Sequence, residues 1–435
     1  MRQSTYVHAS RVTGVVTRWR GMGAVLAVAF YSLFFAAHQQ FQDTPLYIRD
    51  GTLFGASTQT VFGDLTRDRT GDHRGIGPAH PAFTLLHQPP VQVLAAGWRL
   101  LGQGPGQAEK HAVATLTALA GALTVVMVYH ALLWSGMAAL RCVLLATACG
   151  AGPAVWLASA MPEVWIFAGL GVAALAAVAA RGEHAPWWLF LLAAIYAMGC
   201  FAGNVLPVLL LAVARCARES RAFHHFRPGP LLVAVAALPA VFGLANLQRV
   251  VFPLSSPLPL TLSEWQPRQP AMAPHRENAG RVGREVFLSS IVAPKPAAVP
   301  DPGFGNRSRV VLTEARWGSL DLQKGLGAAW LLVLALSFAG LVWRSQLDAY
   351  TLGMVAVLVW GIASLPWYGE PERLLLQACV WTPPLVIAAG LGLERSLEHW
   401  PKIRLPVTFL LIAFVTAQVT RNWMFLQEVA SQVRL

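Results

Sequence analysis

The residues able to do chemistry in this chain gather at the ends of apolar stretches. Asp43 and Asp50 follow the first long apolar run, Glu163 sits in "SAMPEVW" between two later runs, and Glu370, Glu372 and Arg373 sit in "WYGEPERLLL" near the C-terminus. An ionised side chain at the centre of a bilayer costs about 2.5 to 3.5 kcal/mol on insertion scales. A carboxylate such as Glu163 is therefore tolerable only at the interface or in a water-filled cavity, and the acids brought to one membrane face would line such a cavity. Each group also has a plain structural use. Asp50 can pair with Arg49 in an interfacial ion pair worth under about 1 kcal/mol. Glu163, after Pro162, can cap a helix N-terminus. Glu370, Glu372 and Arg373 can form a solvated turn, and His80 before Pro81 marks an ordinary turn as readily as a site. A fourth group, "DLTRDRTGD", sets Asp64, Asp68 and Asp72 four residues apart, a spacing that would permit a divalent cation on oxygen ligands. Arg67, Arg69 and Arg74 neutralise that field and Gly71 weakens a helix there, so a solvated loop face is expected; the sequence marks no certain cofactor, and a divalent cation stays open.

The elements that must position these residues are helices in lipid. The 435 residues are 55% apolar and 12% charged, against about 25% charged in an average soluble domain. The expected class is an all-α polytopic membrane protein. A spanning helix needs roughly 20 apolar residues, and eleven runs qualify, some short: 21–37, 112–133, 138–157, 164–180, 186–201, 204–214, 230–247, 327–343, 349–366, 374–393 and 405–420. The basic N-terminus and first run mimic a secretory signal without a small-residue cleavage site, so an uncleaved anchor is expected. The sixteen tryptophans suit interfacial belts, and the five cysteines, without metal or disulfide spacing, read as packing residues. A net charge of +12 scattered over loops points to anionic lipid heads or phosphates rather than nucleic acid.

A twelfth stretch, 82–102, carries Pro89, Pro90, His87, Gln88, Gln92 and Arg99, and as a span it would leave polar groups in hydrocarbon. It is expected to lie along the interface. That choice puts Arg141, Arg181, the run Arg215 to Arg227, Arg344, Arg395, Lys402 and Arg404 on the side of the basic N-terminus, which the positive-inside rule makes cytoplasmic. The expected organisation is a cytoplasmic segment 1–20, a transmembrane module 21–247 with an external loop 38–111, a second external loop 248–326, and C-terminal helices 327–435. The second loop holds ten prolines and ten Lys or Arg against six acids. It is expected to be irregular and laid over the external mouth of the bundle, able to grip a phosphate or an acidic glycan. "NRS" at Asn306 matches a glycosylation sequon without further support.

This order of parts resembles the C-type (GT-C) integral membrane glycosyltransferases, specifically the bacterial relatives of protein O-mannosyltransferase and lipid A aminoarabinose transferase. The shared pattern is a basic N-terminus, one span, an external loop with an early Asp, an "HP" motif heading an interfacial apolar helix, and short-looped spans with an acid at the second external turn. It covers about residues 20–215, with a looser echo at "YGEPERLLLQACVWTPPLVIAAG". In such enzymes the first-loop Asp is the proposed base, followed by an aromatic four residues on and then small residues, here Asp50, Phe54, Gly55, Ala56 and Ser57. Two departures stand out: Gly51 follows Asp50 where many relatives have a second acid, and His80 precedes Pro81 where the aminoarabinose enzymes often carry Lys.

The resemblance implies a hexosyl- or pentosyltransferase in the bacterial inner membrane with its active site facing outward. It would move a sugar from a polyprenyl phosphate to a glycan, lipid or protein acceptor of the cell envelope. Asp50 would take the acceptor proton. Arg373, His80 and Arg49 would receive the departing phosphate, and Glu163, with Glu370 and Glu372, would contact substrate hydroxyls. Two other classes fit the composition: a lipid or glycan transporter, and a catalytically inactive assembly partner of the same shape. Transporters usually show internal repeats and polar sites at mid-span, and the acids here sit at run ends. No phosphate-cradling loop, dinucleotide fingerprint or zinc signature occurs, which argues against a nucleotide-driven pump.

Overall fold

The computed structural model describes residues 4–42, 44–47, 49–73, 77, 79–223, 227–256, 276–300, 308–312, 322–343, 347–368 and 373–433, with backbone alone at 4–20, 221–223, 276–279, 300, 308, 309, 312 and 366–368. Helices dominate. In chain order they are α1 (Ser4–Phe41), α2 (Thr58–Thr66), α3 (Phe83–Leu100), α4 (Pro105–Trp134), α5 (Ala139–Ala151), α6 (Pro153–Ala160), α7 (Trp165–Arg181), α8 (Trp187–Cys200), α9 (Val205–Phe223), α10 (Gly229–Val251), α11 (Arg276–Arg284), α12 (Leu322–Trp343), α13 (Ala349–Tyr368), α14 (Leu374–Gln377), α15 (Thr382–His399) and α16 (Arg404–Val433). Ala, Leu and Val fill the long ones, so every backbone bond closes within the segment, as hydrocarbon demands. Proline takes the place of polar caps at several starts, for example Pro105, Pro153 and Pro383 in the first helical turn, where its missing N–H would be an orphan anyway.

Each of the eleven expected runs meets one helix or one bent pair. Among the described residues six helices are long and apolar enough to cross a membrane, or up to eight if each bent pair is one span. The chain is an integral membrane protein. Among the described residues length and composition account for eight of the eleven expected spans; α8 is an apolar helix of 14 residues and α9 turns basic from Arg215 onward. Two expected spans are broken. α5 and α6 meet at 58°, and the α14 segment meets α15 at 56°. At the first break, a Cβ on Gly152 would run into the Ser290 carbonyl, so the second loop itself occupies the bend.

That loop is not simply laid over the bundle. Its described part enters it: a π turn over Glu285–Ser289 and residues 290–293 are largely buried. Buried irregular backbone needs partners, and α16 supplies them. Gln418 Nε2 donates to Ala148 O at 3.0 Å and Ile291 O at 2.7 Å. Asn422 Nδ2 donates to Ala151 O at 2.7 Å and Ile291 O at 3.1 Å, while its Oδ1 accepts from Ala293 N at 3.0 Å. Farther on, β1 (Pro296–Pro300) and β2 (Ser308–Leu312) form an antiparallel hairpin.

α3 keeps its helix through Pro89 and Pro90 and is not among the membrane-crossing candidates. Its buried face uses the expected polar residues: Gln88 and Gln92 donate to Arg67 O at 3.3 Å and Thr66 O at 3.1 Å, satisfying the end of α2. The tryptophans divide between two uses. Trp187, Trp188 and Trp343 are exposed as a belt would be, but Trp156, Trp330 and Trp381 are fully buried core. All five cysteines are buried and free.

The bundle has a cationic end. Arg181 lies 5.5 Å from the Trp134 ring, Arg218 donates to Ala180 O at 2.7 Å, Arg141 makes a two-pronged pair with Glu394 at 2.6 and 2.8 Å, and Arg395 pairs with Asp348. The acids of the candidate site lie at the other end of α7 and α15 from these residues.

Candidate functional site

Residues 49–57 form a tight loop. Gly51 N–H donates to Ala56 O and Ala56 N–H to Leu53 O, both at 2.7 Å. Gly51, Phe54 and Gly55 have φ of 77°, 47° and 67°; all three lie in the left-handed region, which costs a non-glycine residue such as Phe54 free energy. The second loop holds it there: Val310 donates to Thr52 O and accepts from Phe54 N, each at 3.0 Å.

This loop places Asp50, half-buried, over the start of α2. Its Oδ1 accepts from Thr60 N at 3.1 Å and its Oδ2 from Thr60 Oγ1 at 2.5 Å, so Asp50 caps that helix from ten residues away. Two of a carboxylate's roughly four acceptor positions are thereby used. Arg49 is half-buried, and its carbonyl accepts from Thr52 Oγ1 at 3.3 Å and Thr58 Oγ1 at 3.4 Å.

Glu163 lies in the turn between α6 and α7 and is 1% exposed. Its oxygens accept from Ser57 N at 3.4 Å and Val164 N at 3.3 Å, the second being the capping role expected of an acid there. Burial pushes its carboxyl up to about 7; Arg373 and the two N–H donors oppose the rise, and Asp50 adds to it. Arg373, at the head of α14, donates from Nε to Gly55 O. Asp50, Glu163 and Arg373, scattered over more than 300 residues, thus meet around one loop. Glu370, Glu372 and Asp43 lie outside the described residues.

His80 joins this region by packing. Its Nδ1 donates to Cys200 O at 2.5 Å, and its ring lies against Trp165, Phe201 and Phe83 at 5.5, 5.6 and 6.4 Å. Burial lowers its pKa to about 4, so the ring is neutral at pH 7 and brings no charge. The tandem Asp64, Asp68 and Asp72 does not converge. Asp64 is fully buried in α2 with His73 Nδ1 3.9 Å away, whereas Asp68 and Asp72 are exposed. Among the described residues no three His, Cys, Asp or Glu come together as metal ligands.

The groups that sequence reasoning missed are mostly backbone: the Gly55 carbonyl, the Ser57 N–H and the Val310 strand. Thr60 was missed because a capping acid is sought next to its helix, not across a loop. Among solved structures, the chain is similar to that of ArnT from Cupriavidus metallidurans bound to undecaprenyl phosphate, with 13% identity and a TM-score of 0.44, covering 96% of this chain and 77% of that one. No family model and no curated protein matches the chain.

Proposed function

We propose that the chain is a C-type membrane glycosyltransferase that moves a sugar from a polyprenyl phosphate to a hydroxyl of a glycan, lipid or protein on the external face. The observation that carries this reading is the meeting of Asp50, Glu163 and Arg373 around residues 49–57, with two carboxylates in unlike environments. Glu163 is buried, which pushes its carboxyl up to about 7, and Asp50 is half-buried. A carboxylate at the reacting hydroxyl can take its proton, and a second, buried acid beside it can contact the substrate.

In the reaction the acceptor O–H gives its proton to the Asp50 carboxylate as its oxygen bonds to the anomeric carbon. The anomeric carbon–oxygen bond to phosphate breaks, and the phosphate leaves with that electron pair. Arg373 and Arg49 stabilise the charge it gains, which in a site shielded from water is worth far more than at a surface. Glu163, its carboxyl pushed up to about 7 by burial, can donate to one substrate hydroxyl when protonated or accept from another when ionised. His80, neutral and wedged among rings, positions the start of α3 against α8 in this reading.

The test uses membranes given a radiolabelled undecaprenyl-phosphate sugar. Asp50→Asn keeps an oxygen for the Thr60 bonds but removes the charge, and transfer is expected to fall by about 10² or more. Equal transfer by wild type and variant removes Asp50 as the base.

A further inference from the structure

At the far end of α15 from Arg373, about 27 Å along an 18-residue helix, a cavity of about 310 Å³ opens where α12 and α15 both end. It is lined by Ala339, Gly340 and Trp343 of α12, by Arg395, Ser396, Glu398 and His399 of α15, and by Trp400. The volume falls in the range of small-ligand sites, about 300–1,000 Å³. The backbones are close because neither helix carries a side chain at the crossing: a Cβ on Gly340 would run into the Gly392 carbonyl. The mouth is aromatic, with Trp343 and Trp400 rings 5.3 Å apart at 76° and His399 5.6 Å from Trp343 and 5.1 Å from Trp400.

The charges in this cavity have two signs. Arg395 spends Nη2 on Asp348 and on Thr351 Oγ1 at 2.9 Å. Its Nη1 is buried without a hydrogen-bond partner. A buried donor left unmade is costly, and a turn of the guanidinium toward the cavity would let an entering anionic oxygen satisfy it. Glu398, the ring faces and the helix C-termini, with their partly negative carbonyls, favour a cation instead. Beyond the mouth, Phe338, Val342 and Trp343 stand 67%, 65% and 65% exposed on the last turns of α12, an apolar track that runs down a membrane-crossing helix.

We propose that this cavity binds the head group of a phosphoethanolamine lipid. The phosphate takes the Arg395 Nη1 donor. The primary ammonium lies between the Glu398 carboxylate and the Trp343 and Trp400 rings, donating to the carboxylate as a quaternary ammonium cannot. One acyl chain follows Phe338 and Val342. The site is separate from the acids at the other end and stands whether or not the chain transfers a sugar.

The full-length protein in neutral detergent is titrated with phosphatidylethanolamine, phosphatidylglycerol, phosphatidylcholine and tail-less glycerophosphoethanolamine, and bound lipid is counted by native mass spectrometry. One phosphatidylethanolamine is expected to be retained, about fivefold tighter than either other lipid, with the tail-less head group far weaker. Glu398→Gln and Trp400→Leu change exposed or half-exposed side chains, and each should lower that preference about fivefold at an unchanged melting temperature. Equal retention of all three lipids, or variants that bind like wild type, overturns the proposal. Tail-less head group binding as tightly as the lipid overturns the lipid as occupant.

Discussion

Asp50 has two jobs that a pair of substitutions can separate. Its carboxylate caps α2 through Thr60, and in the proposed reaction it takes a proton. Asp50→Ala removes both acceptors and is expected to destabilise the protein by about 0.5–2 kcal/mol, the usual worth of a lost cap, read as a lower melting temperature in detergent. Asp50→Asn keeps an acceptor oxygen and should melt near wild type, although both variants lose transfer. A melting temperature that falls equally in both would mean that charge, not capping, holds the loop. Glu163 makes a different prediction. Its folded value near 7 exceeds its ordinary 4.5, so the folded state binds the proton more tightly than the unfolded chain does. That contribution to stability is complete below about pH 4.5 and is lost as pH rises to about 7. The melting temperature of wild type relative to Glu163→Gln, a permanent mimic of the protonated acid, should therefore fall from pH 5 to 8, whereas His80, whose lowered value adds stability as pH rises to 6.5, acts alike in both proteins. A constant difference between the two would mean that Glu163 does not titrate in this window.

Helices were legible in the sequence and their interruptions were not. Apolar runs announce a helix because hydrocarbon leaves the backbone few other ways to close its bonds, and each expected run meets a helix or a bent pair of helices. The bend at Gly152 has its cause 138 positions later, in the Ser290 carbonyl that fills it, and no local signal reports a contact so remote. Gln418 and Asn422 are similar. In the sequence they are stray polar residues at the end of an apolar run, yet they hold the broken α5–α6 segment and the buried second loop together. At the site, acids were legible because carboxylates beside apolar runs are rare and expensive. The Gly55 carbonyl and the Ser57 N–H carry no residue signature at all. Asn422→Leu keeps the volume and removes partners from Ala151 O, Ile291 O and Ala293 N. An unmade buried bond costs about 1–3 kcal/mol, so a loss of at least about 2 kcal/mol is expected, measured as a lower melting temperature and a smaller monodisperse fraction. Gly152→Ala should cost about 1–3 kcal/mol by overpacking against backbone that cannot rotate away; a wild-type melt would mean that the α5–α6 bend yields freely.

The whole molecule is polar along its bundle axis, and that polarity sets which compartment the site is expected to face. Arg141, Arg218 and Arg395 are tied into pairs and a carbonyl contact and Arg181 lies over the Trp134 ring at one end, while Asp50, Glu163 and Arg373 surround one loop at the other. Lys and Arg in short connectors stay in the cytoplasm, so the acid end is expected to face outward. α4, with 30 residues and a length of about 45 Å, crosses between the two ends, and the exposed positions Gly104 and Ala138 flank it. All five native cysteines are buried, so a single new cysteine at either position can be read against a quiet background. A membrane-impermeant maleimide applied to intact cells with the outer membrane permeabilised should label Gly104→Cys and leave Ala138→Cys unlabelled until the inner membrane is opened. The reverse pattern would put the acids in the cytoplasm, where a donor presented at the outer leaflet could not reach Asp50. Labelling of both from outside would mean that α4 does not cross, and the bundle axis would not be the membrane normal.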